Sequence, residues 1–237
     1  MGESPRGRSI FYGWVIVCGT FAILFMAYGA QYSFGVFFSA ILDEFGWSRA
    51  SLSGAFSLYV LVYSAFALVA GRLTDLWGPR IVIAVGGACL GLGWIAMSGV
   101  RELWHPYALY GTITAVGMST AFVPCSATVA RWFVRRRGLA VGLAFGGMGL
   151  GTLTLPPVAH LVASRVGWRW AYVGFGIGIA LVLGLVSTVM RRDPESMGLA
   201  PDGTWAGRVA MSLSRKPLSM IRVVSPGYAR QSWIWKG

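Results

Sequence analysis

Formal charge is missing from most of this chain. Residues 9–42, 50–71, 81–100, 103–130, 138–164 and 170–190 contain no Lys, Arg, Asp or Glu, and the shortest of these runs is 20 residues long. A helix needs about 20 apolar residues to cross roughly 30 Å of hydrocarbon. One Asp, Lys or Arg at mid-bilayer costs about 2.5–3.5 kcal/mol on insertion scales. Six such exclusions in succession rule out an ordinary soluble domain and point to a polytopic, all-α membrane protein with six transmembrane helices. Histidine and cysteine are also scarce, at two and three residues. Cys18, Cys89 and Cys125 all fall inside apolar runs, where they read as small apolar side chains and not as a disulfide or metal framework. With no intramembrane carboxylate and no G-x-S-G segment, metalloenzyme and membrane-protease chemistry are poor fits. No catalytic residue, metal or cofactor is expected, and the chain is not read as an enzyme.

What the chain does contain is hydrophobic, small and positively charged. Hydrophobic residues make up 56% of the 237, glycine contributes 33, and the net charge is +12. Glycine is tolerated in membrane helices because it lets backbones approach closely. The arginines cluster in alternate hinges, which makes the charge a topological signal and not a nucleic-acid surface. One side carries Arg6, Arg8, Arg72, Arg80, Arg131, Arg135, Arg136, Arg137, Arg191 and Arg192; the other carries Arg49, Arg101, Arg165 and Arg169. The positive-inside rule therefore places both termini in the cytoplasm of a cell (inner) membrane protein, with the lipid bilayer as its first partner. The first run is too long for the 7–15-residue core of a signal peptide. Tyr12, Trp14, Trp47, Trp77, Trp104, Tyr107, Trp132, Trp168 and Trp170 stand where span ends should meet headgroups. The resulting division is a cytoplasmic N-terminus at 1–10, a six-helix bundle at 11–192, and a basic cytoplasmic tail at 193–237 that is expected to be disordered.

Gly71, Leu73, Asp75, Gly78 and Arg80 lie between the second and third spans. This pattern resembles the G-x-L-x-D-R-x-G-R-R/K loop of the major facilitator superfamily, with Leu76 where the family usually has a basic residue. The two glycines suit a tight turn and close helix approach. Asp75 can accept from a facing helix N-terminus, with Arg80 to balance it. A second segment, Arg131, Phe133, Arg136, Arg137, Gly138, Leu139, Ala140 and Gly142, resembles the entry to the fifth span in monocarboxylate transporters and their oxalate/formate antiporter relatives. Tyr12 with Trp14, Phe45 to Arg49, and Gly167 to Arg169 resemble the same branch. The resemblance covers about residues 11–203 and implies the N-terminal half of a fold built from two six-helix halves, each of nested three-helix repeats.

Tyr28, Gln31 and Tyr32 lie at i, i+3 and i+4 on one face of the first span. In the oxalate-type relatives a Gln-Tyr pair there lines the substrate cavity, and Gln31 and Tyr32 match it. Animal monocarboxylate carriers place a Lys nearby; aligning residues 36–38 puts Tyr32 at that place, which counts against proton-coupled lactate transport. Tyr59, Tyr63, Thr120, Ser126, Thr128 and His160 are the other polar groups inside spans. In the fifth span, Gly142, Gly146, Gly149 and Pro156 are the candidate gating or packing residues. The resemblance thus implies a secondary transporter for small organic anions, such as monocarboxylates or oxalate and formate, working by alternating access. The alternative is a truncated, transport-incompetent fragment, or a half-transporter that needs a second six-helix half or a homodimer as partner.

Overall fold

The computed structural model describes residues 11–197 and Leu199. The N-terminal segment 1–10 and most of the basic tail lie outside the described residues. Six helices are each long and apolar enough to cross a membrane: α1 (Tyr12–Phe45), α2 (Arg49–Trp77), α3 (Pro79–Met97), α4 (Trp104–Trp132), α5 (Arg137–Val166) and α6 (Trp168–Val189). A short 3-10 turn, Pro194–Met197, follows, and the described residues contain no strand. This is the all-α membrane bundle that the spacing of the charges predicts.

Local chemistry explains the helix ends. Gly46 closes α1 at φ 65°, a left-handed position that costs glycine little, and its N–H bonds back to Leu42 O. Ser48 caps α2 by accepting from Ser51 N at 3.1 Å. The signature segment is mostly helix, because α2 runs on to Trp77 and the turn falls on Gly78 alone. Gly78 (φ 83°, ψ 160°) both ends α2 and starts α3, and Pro79 occupies the first turn where its missing N–H costs nothing. Gly167 (φ 89°, ψ 152°) does the same between α5 and α6. Within α4, residues Leu109–Thr114 form a π-helical turn that no spacing in the sequence announces.

Packing follows small residues more than large ones. Inside a bilayer the hydrophobic effect does not drive helices together, so close van der Waals contact has to. On α5, Ala140, Ala144, Gly147, Gly151 and Ala159 are buried. A side chain at Gly147 would run into the backbone carbonyl of Phe21, and one at Gly151 into that of Phe25. Gly29 of α1 faces the Gly151 carbonyl in return, so α1 and α5 touch nearly backbone to backbone. Between α1, α3 and α6, the rings of Phe37, Trp94, Tyr172 and Phe175 form the main aromatic core. The contacts have a pseudo-twofold pattern: α1 packs on α5 as α4 packs on α2, and α6 on α1 as α3 on α4. Two three-helix units, α1–α3 and α4–α6, are therefore related by a pseudo-twofold axis and run in opposite senses across the bundle.

Candidate functional site

α1 and α2 barely touch despite their short connection. Between them lies a cavity of about 430 Å³, lined by Gln31, Tyr32, Phe34, Gly35 and Phe38 of α1 and by Ser53, Phe56 and Ser57 of α2. It lies nearer the α1–α2 connection than the chain ends of the bundle. Gly35 carries no side chain, and a Cβ there would meet nothing within 4 Å, so the groove widens at that position. Tyr32 lines the cavity and is 60% exposed. The Gln31 Oε1 is buried and has no hydrogen-bond partner. An unpartnered buried amide oxygen is expensive, and the great majority of buried polar groups find a partner. The lining holds no formal charge. It can orient a small polar molecule through the Gln31 amide and the Tyr32 and Ser53 hydroxyls, but it cannot neutralise one.

Of the three residues expected to act together, the structure brings Gln31 and Tyr32 into this groove. Tyr28 sits one turn away in a different layer. Its hydroxyl lies 3.4 Å from that of Tyr63, and its ring meets Phe122 edge-on. An aromatic wall joins the layers: Phe34 stacks on Tyr110 at 4.0 Å and near Phe56 at 6.0 Å, and Tyr59 stacks on Tyr110 at 4.7 Å. The polar residues of α4 point elsewhere, since Thr120, Ser126 and Thr128 donate to the carbonyls of Gly117, Val123 and Pro124 on their own helix. His160 is exposed on the bundle surface. Sequence reasoning missed Phe34, Gly35, Phe38, Ser53, Phe56 and Ser57. Residues 31, 35 and 38 share one face of α1 with Phe34 beside them, so a helical projection from Gln31 would have found half the lining.

At the chain-end side of the bundle, the partner of Asp75 is Arg131 and not Arg80. The Arg131 guanidinium lies 2.8 Å from Asp75 and 3.8 Å from Asp193, joining the ends of α2, α4 and α6. Gly71 faces Val123 of α4, where a Cβ would make only an ordinary van der Waals contact at 3.5 Å. Trp132 is buried and donates from Nε1 to Arg191 O at 3.0 Å, so it locks the hinge after α6 and does not face headgroups. At the opposite side Trp168 and Arg169 both bond Glu44, at 2.6 Å each. Arg169 also donates to the carbonyls of Ser98 and Val100, tying α1, α3 and α6 together. Among the gating or packing candidates, Gly142 and Gly149 open onto space, Gly146 only grazes the Phe21 ring at 3.9 Å, and Pro156 lies half-buried in unbroken helix.

The sequence profile of the Major Facilitator Superfamily matches residues 20–229. Human monocarboxylate transporter 11 is 34% identical over 165 residues, 70% of this chain and 35% of the relative. Bovine monocarboxylate transporter 13 is 31% identical over 213 residues, 90% of this chain and 49% of the relative. The oxalate:formate antiporter of Oxalobacter formigenes is 32% identical over 172 residues, 72% of this chain and 41% of the relative. The chain thus spans between a third and a half of the length of the curated relatives it matches.

Proposed function

The chain belongs to the Major Facilitator Superfamily, and from that premise we propose that it contributes the α1–α2 wall of a secondary transporter for small organic anions of the monocarboxylate or oxalate/formate type. The observation that carries this reading is the groove, a cavity of about 430 Å³ where the Gln31 amide N–H groups and the hydroxyl of the exposed Tyr32 are donors that a carboxylate could use. Transport would proceed by alternating access, with two six-helix units rocking about the groove. Both ends of the bundle would face the cytoplasm of a cell membrane. The uncharged lining favours a half-transporter in which a second six-helix unit supplies the balancing cation, because an uncompensated anion at bilayer depth costs several kcal/mol or more. The signature residues Gly71, Asp75, Gly78 and Arg80 would govern the exchange between states, and Gly142, Gly146, Gly149 and Pro156 the bending of α5.

Two measurements test it. With Cys18, Cys89 and Cys125 replaced, a Ser53→Cys variant is labelled with a maleimide in the presence of oxalate, formate or lactate. Weak protection is expected, with an affinity on the order of 10 mM or poorer, because the lining offers hydrogen bonds but no cation. No protection by any of the three anions would remove the groove from the reading. In proteoliposomes, the 237-residue chain alone is expected to show no saturable uptake of these anions. Saturable uptake by the chain alone, lost in Gln31→Ala, would instead mean that a second copy completes the site.

A further inference from the structure

The wall of the α1–α2 groove is backed by buried rings that do not line it. Four rings lie near-parallel: Phe56 is 6.0 Å from Phe34, Phe34 is 4.0 Å from Tyr110, and Tyr110 is 4.7 Å from Tyr59, with interplanar angles between 16° and 21°. Phe34 and Phe56 line the groove, while Tyr110 and Tyr59 lie buried behind them. Tyr110 stands on the π turn of α4. A turn closed by i→i+5 bonds holds about one residue more than an α turn. It therefore displaces the residues before it by roughly 100° around the axis relative to an unbroken α-helix. Such turns are rare and persist where the surroundings hold them. Here α2 and α3 do so. A Cβ on Gly111 would lie 3.2 Å from the Ala55 carbonyl of α2, and Gly93 of α3 leaves room for the Thr114 hydroxyl. The Tyr107 hydroxyl donates to the Ser51 carbonyl of α2. Held this way, the turn delivers the Tyr110 ring flat against Phe34. The Tyr110 hydroxyl is buried without a partner, so what position 110 offers its neighbours is the ring. A side chain that only filled core space there would need neither the π turn nor a flat face parallel to the groove wall.

We propose that Tyr110 is a positioning residue that, through Phe34, sets how bulky a molecule the α1–α2 groove admits. A stacked aromatic partner favours the held position of the Phe34 ring by roughly two- to tenfold. Without that partner Phe34 drops back into the space between α1 and α4, and the wall recedes. This role rests on the reading of the groove as a substrate site. Groove size can be measured with no substrate present, so a failure of anions to protect Ser53→Cys would sink that reading alone.

With the native cysteines replaced, Gln31→Cys places a thiol on the half-buried α1 side of the groove, about one turn from Phe34. The full chain, as the monodisperse fraction in detergent, is labelled with N-ethylmaleimide and with the bulkier N-phenylmaleimide, and the ratio of the two rates is compared among variants. Tyr110→Leu should raise the bulky-to-small ratio roughly two- to tenfold. Tyr110→Phe keeps the ring and should leave the ratio where it was. Tyr172→Leu is the packing control. Tyr172 is as buried as Tyr110 and its hydroxyl also lacks a partner, but its ring meets Phe37 at 4.3 Å, outside the groove lining, so the ratio should not move. In a Phe34→Leu background, Tyr110→Leu should add nothing further, because the contact it removes is already gone. Tyr110→Met takes its place where Tyr110→Leu does not fold. An unchanged ratio once the ring is removed would overturn the proposal. So would an equal rise in Tyr172→Leu, a rise in Tyr110→Phe, or full additivity with Phe34→Leu.

Discussion

Gln31 carries more information than any other residue of the groove, because its two possible roles predict opposite effects of one substitution. A structural glutamine would hold its neighbours together, and its loss would cost stability. Here the side-chain oxygen is buried with no partner, so removing it relieves a desolvation cost. Gln31→Leu is therefore expected to leave the thermal unfolding midpoint in detergent unchanged or slightly raised, while protection of Ser53→Cys by oxalate disappears. A marked fall in the midpoint would contradict this. The two interhelical ion pairs differ in a similar way. Asp75 is 62% exposed in its bond to Arg131, and exposed pairs are typically worth under about 1 kcal/mol. Asp75→Asn should shift stability little, even where it alters exchange between states. Arg169 joins Glu44 to two backbone carbonyls across three helices. Arg169→Gln should cost about 1–2 kcal/mol, after allowing for its partial exposure. A thermal-unfolding comparison in which Asp75→Asn proved the more damaging would reverse this ranking.

At the level of the helix, spacing in the sequence identifies a family of faces but does not choose among them. Gly142, Gly146 and Gly149 make one small-residue stripe on α5, while Ala144, Gly147 and Gly151 make another. Only the position of α1 decides which is pressed against a neighbour, and it is the second. Gly151→Val should therefore disrupt the bundle, because the side chain would meet the Phe25 backbone, which has nowhere to go. Gly142→Ala should be neutral or mildly stabilising, since the site is open and alanine favours helix by about 1 kcal/mol or less. Proteolysis of the detergent-solubilised variants would separate the two. The helix count and most helix ends were legible because charge is excluded from hydrocarbon and glycine stops helices. The exchange of Arg80 for Arg131 beside Asp75 was not, because it depends on two helix ends 56 residues apart meeting in space. The π turn at Leu109–Thr114 was hidden for a related reason. Its backbone register is set by what Tyr110 and Gly111 pack against, namely Phe34, Tyr59 and Ala55.

Across the whole molecule, the two three-helix units turn over in the same way, at Gly78 on one side of the membrane and Gly167 on the other. The charges break that symmetry. Among the described residues, Arg72, Arg80, Arg131, Arg135, Arg136, Arg137, Arg191 and Arg192 lie on the chain-end side, against Arg49, Arg101, Arg165 and Arg169 on the other. Of the smaller group, Arg169 is further neutralised by Glu44. The structure alone is indifferent to which side faces the cytoplasm, since six spans bring both ends of the bundle to one side either way. The charge asymmetry favours the arginine-rich side as the cytoplasmic one, because translocating arginine-rich hinges is disfavoured. In a background without native cysteines, Glu102→Cys should react with a membrane-impermeant maleimide in intact cells. Val134→Cys should react only after the membrane is opened. The reverse pattern would turn the whole bundle over and put the arginine-rich side outside. It would also expose the Gln31 groove toward the cytoplasm, because the groove lies nearer the α1–α2 connection. One labelling experiment thus fixes three features together: the side of the termini, the side of the arginine-rich hinges, and the side from which the α1–α2 groove is reached.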